Sequence, residues 1–109
     1  AQIFRVRSEA SADGLSRTYY IEGQLFFASA DAFTSSFDFG EVLERVTIDV
    51  SGAHIWDISS VAALDMVILK FRRDGAEVRI VGMNEASETI VDKLAVHDKP
   101  GALDKLMEH

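Results

Sequence analysis

The sequence contains no cysteine, a single proline and no long apolar run, and each of these absences removes a class of protein. Without cysteine there is no disulfide framework and no thiolate metal site, and nothing indicates an oxidising compartment. No stretch reaches the roughly eighteen apolar residues that span a bilayer, and no charged-then-apolar leader indicates secretion. Since no Gly/Ser linker divides the chain either, we expect one domain over residues 1–109.

Basic residues are also scarce, with 11 Lys and Arg against 18 Asp and Glu and a formal net charge of −7. A chain of this sign repels phosphate, so we expect no nucleic-acid partner and no direct binding to anionic lipid. The 109 residues are 48% hydrophobic, which is enough for a single core. Because the first residue is Ala1 rather than Met, we expect a piece cut from a longer protein or a processed chain.

Alternating apolar residues predict four strands, over 3–7, 18–27, 46–50 and 77–81. The turn signal Asp13-Gly14 joins the first two as an antiparallel hairpin. Gly23 interrupts the second strand, where a bulge or a close backbone approach is expected.

Helical spacing predicts about four helices between and after these strands. One is expected from an N-cap at Ser29 to Gly40, and the strongest has its apolar stripe over 61–71 and ends at Gly75. A third is expected to be capped by Asn84, and a last one to start at Pro100. The order ββαβαβαα predicts an α/β fold, a mixed four- to five-stranded sheet with an antiparallel N-terminal hairpin.

The residues that commonly carry catalysis are not grouped in this sequence. The three histidines, His54, His97 and His109, have no metal-ligand spacing, so no metal is expected. Glu41 and Glu44 have the spacing of one helical turn, but an exposed carboxylate pair is interpreted as a solvated face. There is no nucleophile elbow, and the glycines are too scattered to cradle phosphate. We therefore expect neither an enzyme nor a cofactor, and a small-ligand binder is the weakest of the alternatives.

One segment stands out, the passage from the third strand into the strongest helix, with the residues Trp56, Asp57, Ile58, Ser59 and Ser60. Asp57, Ser59 and Ser60 all suit a helix entry, where one of them would cap the first turn and stabilise the helix by about 1 kcal/mol. The same place, at the carboxyl ends of parallel strands, is where α/β sheets bind partners. A hydroxyl at a helix N-terminus also tolerates an added phosphate.

Over nearly its whole length the chain resembles a STAS domain, the module shared by bacterial anti-sigma-factor antagonists and the cytosolic tails of SulP-type anion transporters. The family motif, Asp-x-Ser/Thr-Gly-hydrophobic after a strand, is similar to Asp57-Ile58-Ser59-Ser60-Val61, with Ser60 where the family usually has glycine. The stretches 21–30 and 72–78 resemble the family's passages into its first helix and out of its second.

The longer strings 56–65, 84–87 and 94–100 resemble the tail of a bacterial SulP transporter. That resemblance implies a non-catalytic cytoplasmic domain, tethered to the inner membrane in the full-length protein, of a sulfate- or bicarbonate-class transporter. Its partner would be its own membrane domain, another protomer or a soluble protein, contacted through the loop Trp56–Ser60. The alternative branch implies a free-standing antagonist with Ser59 as phosphoacceptor.

Overall fold

The computed structural model describes the backbone of residues 3–26 and 30–95 and the side chains as far as Ile90. Its strands are β1 (Phe4–Ala10), β2 (Ser16–Leu25), β3 (Arg45–Ile55) and β4 (Glu77–Val81). Its helices are α1 (Ala30–Thr34), α2 (Ile58–Arg73) and α3 (Met83–Ala95). The predicted N-cap Ser29 and the predicted helix from Pro100 lie outside the described residues.

The strands form one mixed four-stranded sheet in the order β1-β2-β3-β4. β1 and β2 are the antiparallel hairpin predicted from Asp13-Gly14, and β3 and β4 each pair in parallel with the preceding strand. The α/β class, the hairpin and the mixed sheet are therefore confirmed, with three helices in the described part of the chain.

A single apolar cluster joins the sheet to the helices. Alternate residues of β2, β3 and β4 point into it, and Phe33 of α1, Leu64 and Phe71 of α2 and Ala86 of α3 pack against them. The opposite face of the sheet carries charged and polar side chains of β1, β2 and β3, among them Arg7, Glu22 and Asp49. The apolar period of two in the sequence therefore marks the covered face correctly.

The prediction for β3 was too short by five residues at its carboxyl end. Tyr20 pairs with Asp49 and Glu22 with Gly52, so Val50 and Ser51 both lie opposite Ile21 in a β-bulge. The bulge shifts the alternation by one residue, which buries Ala53 and Ile55 on the same face as Val50. A simple alternating pattern breaks at this point, so the predicted strand ended at Val50.

Two helix boundaries also differ from the prediction. α1 stops at Thr34 rather than continuing to Gly40, because Thr34, Ser35 and Ser36 each donate a side-chain hydroxyl to a carbonyl four residues back. α3 begins at Met83, with Asn84 inside it, so Asn84 is not its cap.

The end of α2 and the approach at Gly23 are as predicted. Gly75 and Ala76 donate their N–H groups to the carbonyls of Arg72 and Phe71, the pattern of a Schellman motif. A side chain at Gly23 would collide with the backbone of Ile3, just before β1, and of Phe4, so this position needs glycine.

Candidate functional site

The candidate site lies where β3 ends and α2 begins. Since β3 ends at Ile55 and α2 starts at Ile58, the connection consists of Trp56 and Asp57 alone. Leu25 and Ile55 end neighbouring parallel strands side by side, and the Trp56 N–H donates to the Leu25 carbonyl at 2.9 Å. The loop is thus fixed to the carboxyl edge of the sheet by a continuation of the strand pairing.

Asp57 is the cap of α2. Its backbone is extended, and its Oδ1 accepts from the Ser60 N–H at 2.9 Å and from the Ser60 hydroxyl at 3.0 Å. This carboxylate satisfies one of the N–H groups that the first turn of a helix leaves without a partner. Of the three capping candidates in the sequence, the structure selects Asp57.

Ser60 and Ser59 have opposite environments although they are neighbours. Ser60 is 5% exposed and lies among Leu25, Phe33 and other apolar side chains, with its hydroxyl turned to Asp57. Ser59 is exposed in the first turn of α2. A serine in place of the family's usual glycine therefore adds a buried group at residue 60 and leaves the outer surface unchanged.

Trp56 and Ile58 present apolar surface on either side of the cap. Trp56 is 40% exposed and Ile58 is 42% exposed, which is high for side chains of this type. The Trp56 indole N–H donates to the side-chain oxygen of Gln24 at the end of β2, which holds the ring in one orientation. The structure thus brings all five predicted loop residues together, with Trp56, Ile58 and Ser59 outward and Ser60 inward.

Sequence reasoning missed two parts of this surface. Gln24 gave no signal, because its contact with Trp56 spans 32 positions of the chain. Met66 and Leu69 are exposed on the outer face of α2, following Ile58 and Ala62 at helical spacing. They lie off the buried stripe, and a check for apolar residues outside that stripe would have found them.

The perturbed acids lie away from the loop. Two hydrogen bonds from the Arg17 guanidinium, at 2.7 and 3.0 Å, lower the pKa of Glu41. Hydrogen bonds from Ser51 lower the pKa of Asp49 beside the bulge. Neither Glu41 nor Glu44 lies in a helix; Glu44 is exposed, whereas Glu41 is half-buried in its ion pair with Arg17, so the interpretation as a solvated face fits Glu44 only.

In the described part of the chain, no three His, Asp or Glu side chains are grouped closely enough to hold a metal ion. His54 lies within β3 rather than after it, with its Nδ1 3.4 Å from the Thr89 hydroxyl of α3. His97 and His109 lie outside the described residues. Over residues 3–26 and 30–95, no helix combines the length and apolar character that a bilayer crossing requires.

Comparison with known proteins places this geometry in a family. The STAS domain family model matches residues 8–108. "Putative sulfate transporter YbaR" of Bacillus subtilis (strain 168) is 44% identical over 79 residues, which cover 72% of this chain and 16% of that protein. The chain therefore spans about a sixth of the length of this curated relative.

A solved structure supports the same assignment. The crystal structure described as "antisigma-factor antagonist, STAS domain from Rhodobacter sphaeroides" is 70% identical, covers 80% of this chain and 95% of its own, and superposes with a TM-score of 0.79. With a family match over most of its length and these two relatives, the chain belongs to the STAS domain family.

Proposed function

We propose that residues 1–109 form one non-catalytic STAS domain that regulates a SulP-type anion transporter of the sulfate or bicarbonate class. In the full-length protein it would lie on the cytoplasmic side, tethered to the inner membrane. The likeness to the Bacillus subtilis transporter supports this proposal. The partner is the transporter's own membrane domain, with another protomer or a soluble protein as the other possibilities.

The observation that carries the proposal is the exposed apolar surface at the start of α2. Trp56 and Ile58 remain partly exposed to water, although other apolar residues of the domain fill its core. Gln24 holds the Trp56 ring in place, so little side-chain freedom remains to be lost on docking. Tryptophan in such a position is enriched among the residues that dominate binding energy.

The outer face of α2 extends this surface. Ala62, Met66 and Leu69 continue from Ile58 along the helix, with Asp65 and Arg73 among them. An apolar strip bordered by charged groups is the ordinary composition of a protein interface. Asp57 and Ser60 contribute indirectly, because their hydrogen bonds fix the first turn of α2 in the orientation that presents Ile58.

The experiment separates membrane and soluble fractions of the source cells and probes both with an antibody to this domain. A membrane-bound band several times heavier than 12.0 kDa is the result that the transporter proposal predicts. A soluble band near 12.0 kDa would contradict it and leave the antagonist as the better description.

The alternative is a free-standing antagonist switched by phosphate on Ser59, and two observations favour it. The Rhodobacter sphaeroides structure at 70% identity carries that description. Ser59 is exposed in the first turn of the 16-residue helix α2, where the helix dipole favours negative charge. A kinase could reach this hydroxyl, whereas Ser60 is buried.

Phosphate on Ser59 would place negative charge two residues from Asp57 and beside the apolar surface of Ile58. Under this alternative, Ser59→Asp abolishes binding to an anti-sigma kinase while Ser59→Ala preserves it, as measured by titration calorimetry. Equal affinity of the two variants would exclude the phosphoswitch.

A further inference from the structure

The outer edge of β1 presents a row of backbone hydrogen-bonding groups. The Gln24 N–H donates to the Ile3 carbonyl at one end of the hairpin, and the Ser11 N–H donates to the Ser16 carbonyl at the other. The hairpin register between these points is unbroken. Because bonding alternates along an antiparallel strand, the odd-numbered residues bond to β2. The N–H and C=O groups of four residues then point away from it, those of Phe4, Val6, Ser8 and Ala10.

This edge has no proline, lysine or bulge that would prevent pairing with another strand, and its three charged side chains, Arg5, Arg7 and Glu9, are of both signs. β1 is an end strand of the sheet that the described residues form, and it spans seven residues without proline or lysine. Ser8, Glu9 and Ala10 are exposed. A strand of this length and composition is a template for a further strand.

We infer that β1 pairs antiparallel with β1 of a second copy of this chain, about a two-fold axis that passes between the two Ser8 residues. Two identical strands related by a two-fold axis form a self-complementary interface. Hydrogen bonding requires that even-numbered residues lie opposite even-numbered ones, so Ser8 faces Ser8 of the second copy and Val6 faces Ala10. On the order of six backbone hydrogen bonds join the copies, and the two sheets become one continuous sheet.

Charge selects this register over its neighbours. With the axis at Ser8, Arg7 of each copy lies opposite Glu9 of the other, at positions where side chains approach closely. An axis at Val6 would oppose Arg5 and Arg7 twice, and an axis at Glu9 would oppose two glutamates. An axis at Arg7 would pair Arg5 with Glu9 but would oppose the two Arg7 side chains at its centre. Of these four axes, only the one at Ser8 brings no like charges together. Like charges directly opposite each other destabilise a strand pair.

Existing contacts already hold Arg7 and Glu9 on the same face of the sheet. The Arg7 guanidinium lies 4.2 Å from the Tyr20 ring centroid and 3.8 Å from a Glu22 oxygen, and one of its nitrogens lies 3.9 Å from Glu9. In the dimer, each Arg7 would have Glu9 of its own strand beside it and Glu9 of the second copy opposite it. The four side chains would therefore alternate in charge. This surface is separate from the loop and the outer face of α2, so the inference does not depend on the proposed function.

The first test is sedimentation equilibrium of the 109-residue chain over a range of concentrations. Ser8→Pro removes an N–H that points away from β2, so the hairpin bonds stay intact while the dimer loses one donor per copy. We expect its dimer dissociation constant to rise by at least about tenfold. Ser8→Ala is the matched control and should stay within about twofold, with circular dichroism showing that both variants fold.

The second test examines the register by charge reversal. Arg7→Glu and Glu9→Arg should each weaken the dimer by roughly tenfold, because each places like charges opposite each other twice. The double variant restores opposite signs and should return to within about threefold of the parent. A chain that stays monomeric up to about 1 mM would overturn the inference. A dimer that is insensitive to Ser8→Pro, or one that the double variant fails to restore, would also overturn it.

A cross-linking experiment removes dependence on affinity. The chain has no cysteine, so Ser8→Cys introduces a single thiol that mild oxidation should join to its counterpart across the axis. Ser35→Cys, at an exposed position after α1, is the control and should remain monomeric. Equal cross-linking of the two variants would mean random collision, and cross-linking of Ser8→Cys only to a different protein would assign the edge to that protein instead.

Discussion

Among single residues, Asp57 holds the first turn of α2 in place. A single oxygen of its carboxylate accepts hydrogen bonds from both the N–H and the hydroxyl of Ser60. The cap of α2 and the only buried polar side chain among the described residues therefore depend on each other. Sequence alone predicted that Asp57, Ser59 or Ser60 would cap α2. It could not choose among them, because all three residue types suit the position and only the backbone angles decide.

Replacing Asp57 by Ala should lower the free energy of unfolding by about 1–2 kcal/mol, since it removes the cap and leaves the Ser60 hydroxyl buried without its carboxylate. Urea denaturation measures the change. Asp65→Ala, on the exposed face of the same helix, is the control and should change stability by less than about 0.5 kcal/mol. Equal effects of the two variants would show that the cap contributes nothing.

The Glu41–Arg17 ion pair gives a pH-dependent contribution. Hydrogen bonds from Arg17 lower the pKa of Glu41 in the folded state below its ordinary value of 4.5. The pair therefore stabilises the fold above that pH, and the contribution disappears as pH falls through the lowered pKa.

Glu41→Gln should accordingly lower the Tm by roughly 2–4 °C at pH 7, and the difference should shrink as the pH falls through the lowered pKa of Glu41. Thermal unfolding of both proteins across this pH range is the measurement. Glu44→Gln is the nearby control and should leave the Tm at pH 7 unchanged. A difference that persisted undiminished in acid would contradict the assigned cause.

Among the secondary-structure elements, those whose signals lie within one short stretch of sequence were predicted best. α2 and β4 were predicted well, because the apolar period and the Schellman ending at Gly75 are contained in one short stretch. The bulge of β3 and the start of α3 depend on contacts between distant segments. The first residue of α3 follows Gly82, which packs against Ser51 of the bulge, and neither sequence stretch reveals the other.

Gly82 therefore provides a test of this contact. Its φ of 79° disfavours any side chain, and a Cβ there would overlap the Ser51 backbone. Gly82→Ala should lower the free energy of unfolding by about 2–3 kcal/mol in urea titrations. Gly14→Ala, with a φ of 73° but open space around it, should cost only the backbone strain, about 1 kcal/mol. If both substitutions cost the same, α3 does not depend on the bulge.

At the scale of the whole molecule, the fold and the place of the site followed from pattern and resemblance, whereas the shape of the site did not. The sequence predicted a loop at the carboxyl edge of a mixed sheet, with Trp56 as one of its five candidate partner-binding residues. In the structure the Trp56 ring is 40% exposed and donates a hydrogen bond to Gln24. Met66 and Leu69 extend the exposed apolar surface along the outer face of α2. Three-dimensional proximity to Gln24 decides the position of the ring, and no local pattern encodes it.

Cross-linking can test whether the start of α2 docks on the membrane domain of a transporter, as we propose. The most direct measurement replaces Ile58, in the full-length protein in its own cells, by a photo-cross-linking amino acid, and identifies the cross-linked peptides by mass spectrometry. Val42, 92% exposed in the segment between α1 and β3, is the matched control. If α2 docks there, residue 58 but not residue 42 should cross-link to membrane-domain peptides of the same transporter. Cross-links from residue 58 to a soluble kinase, or a pattern identical to that of residue 42, would contradict it.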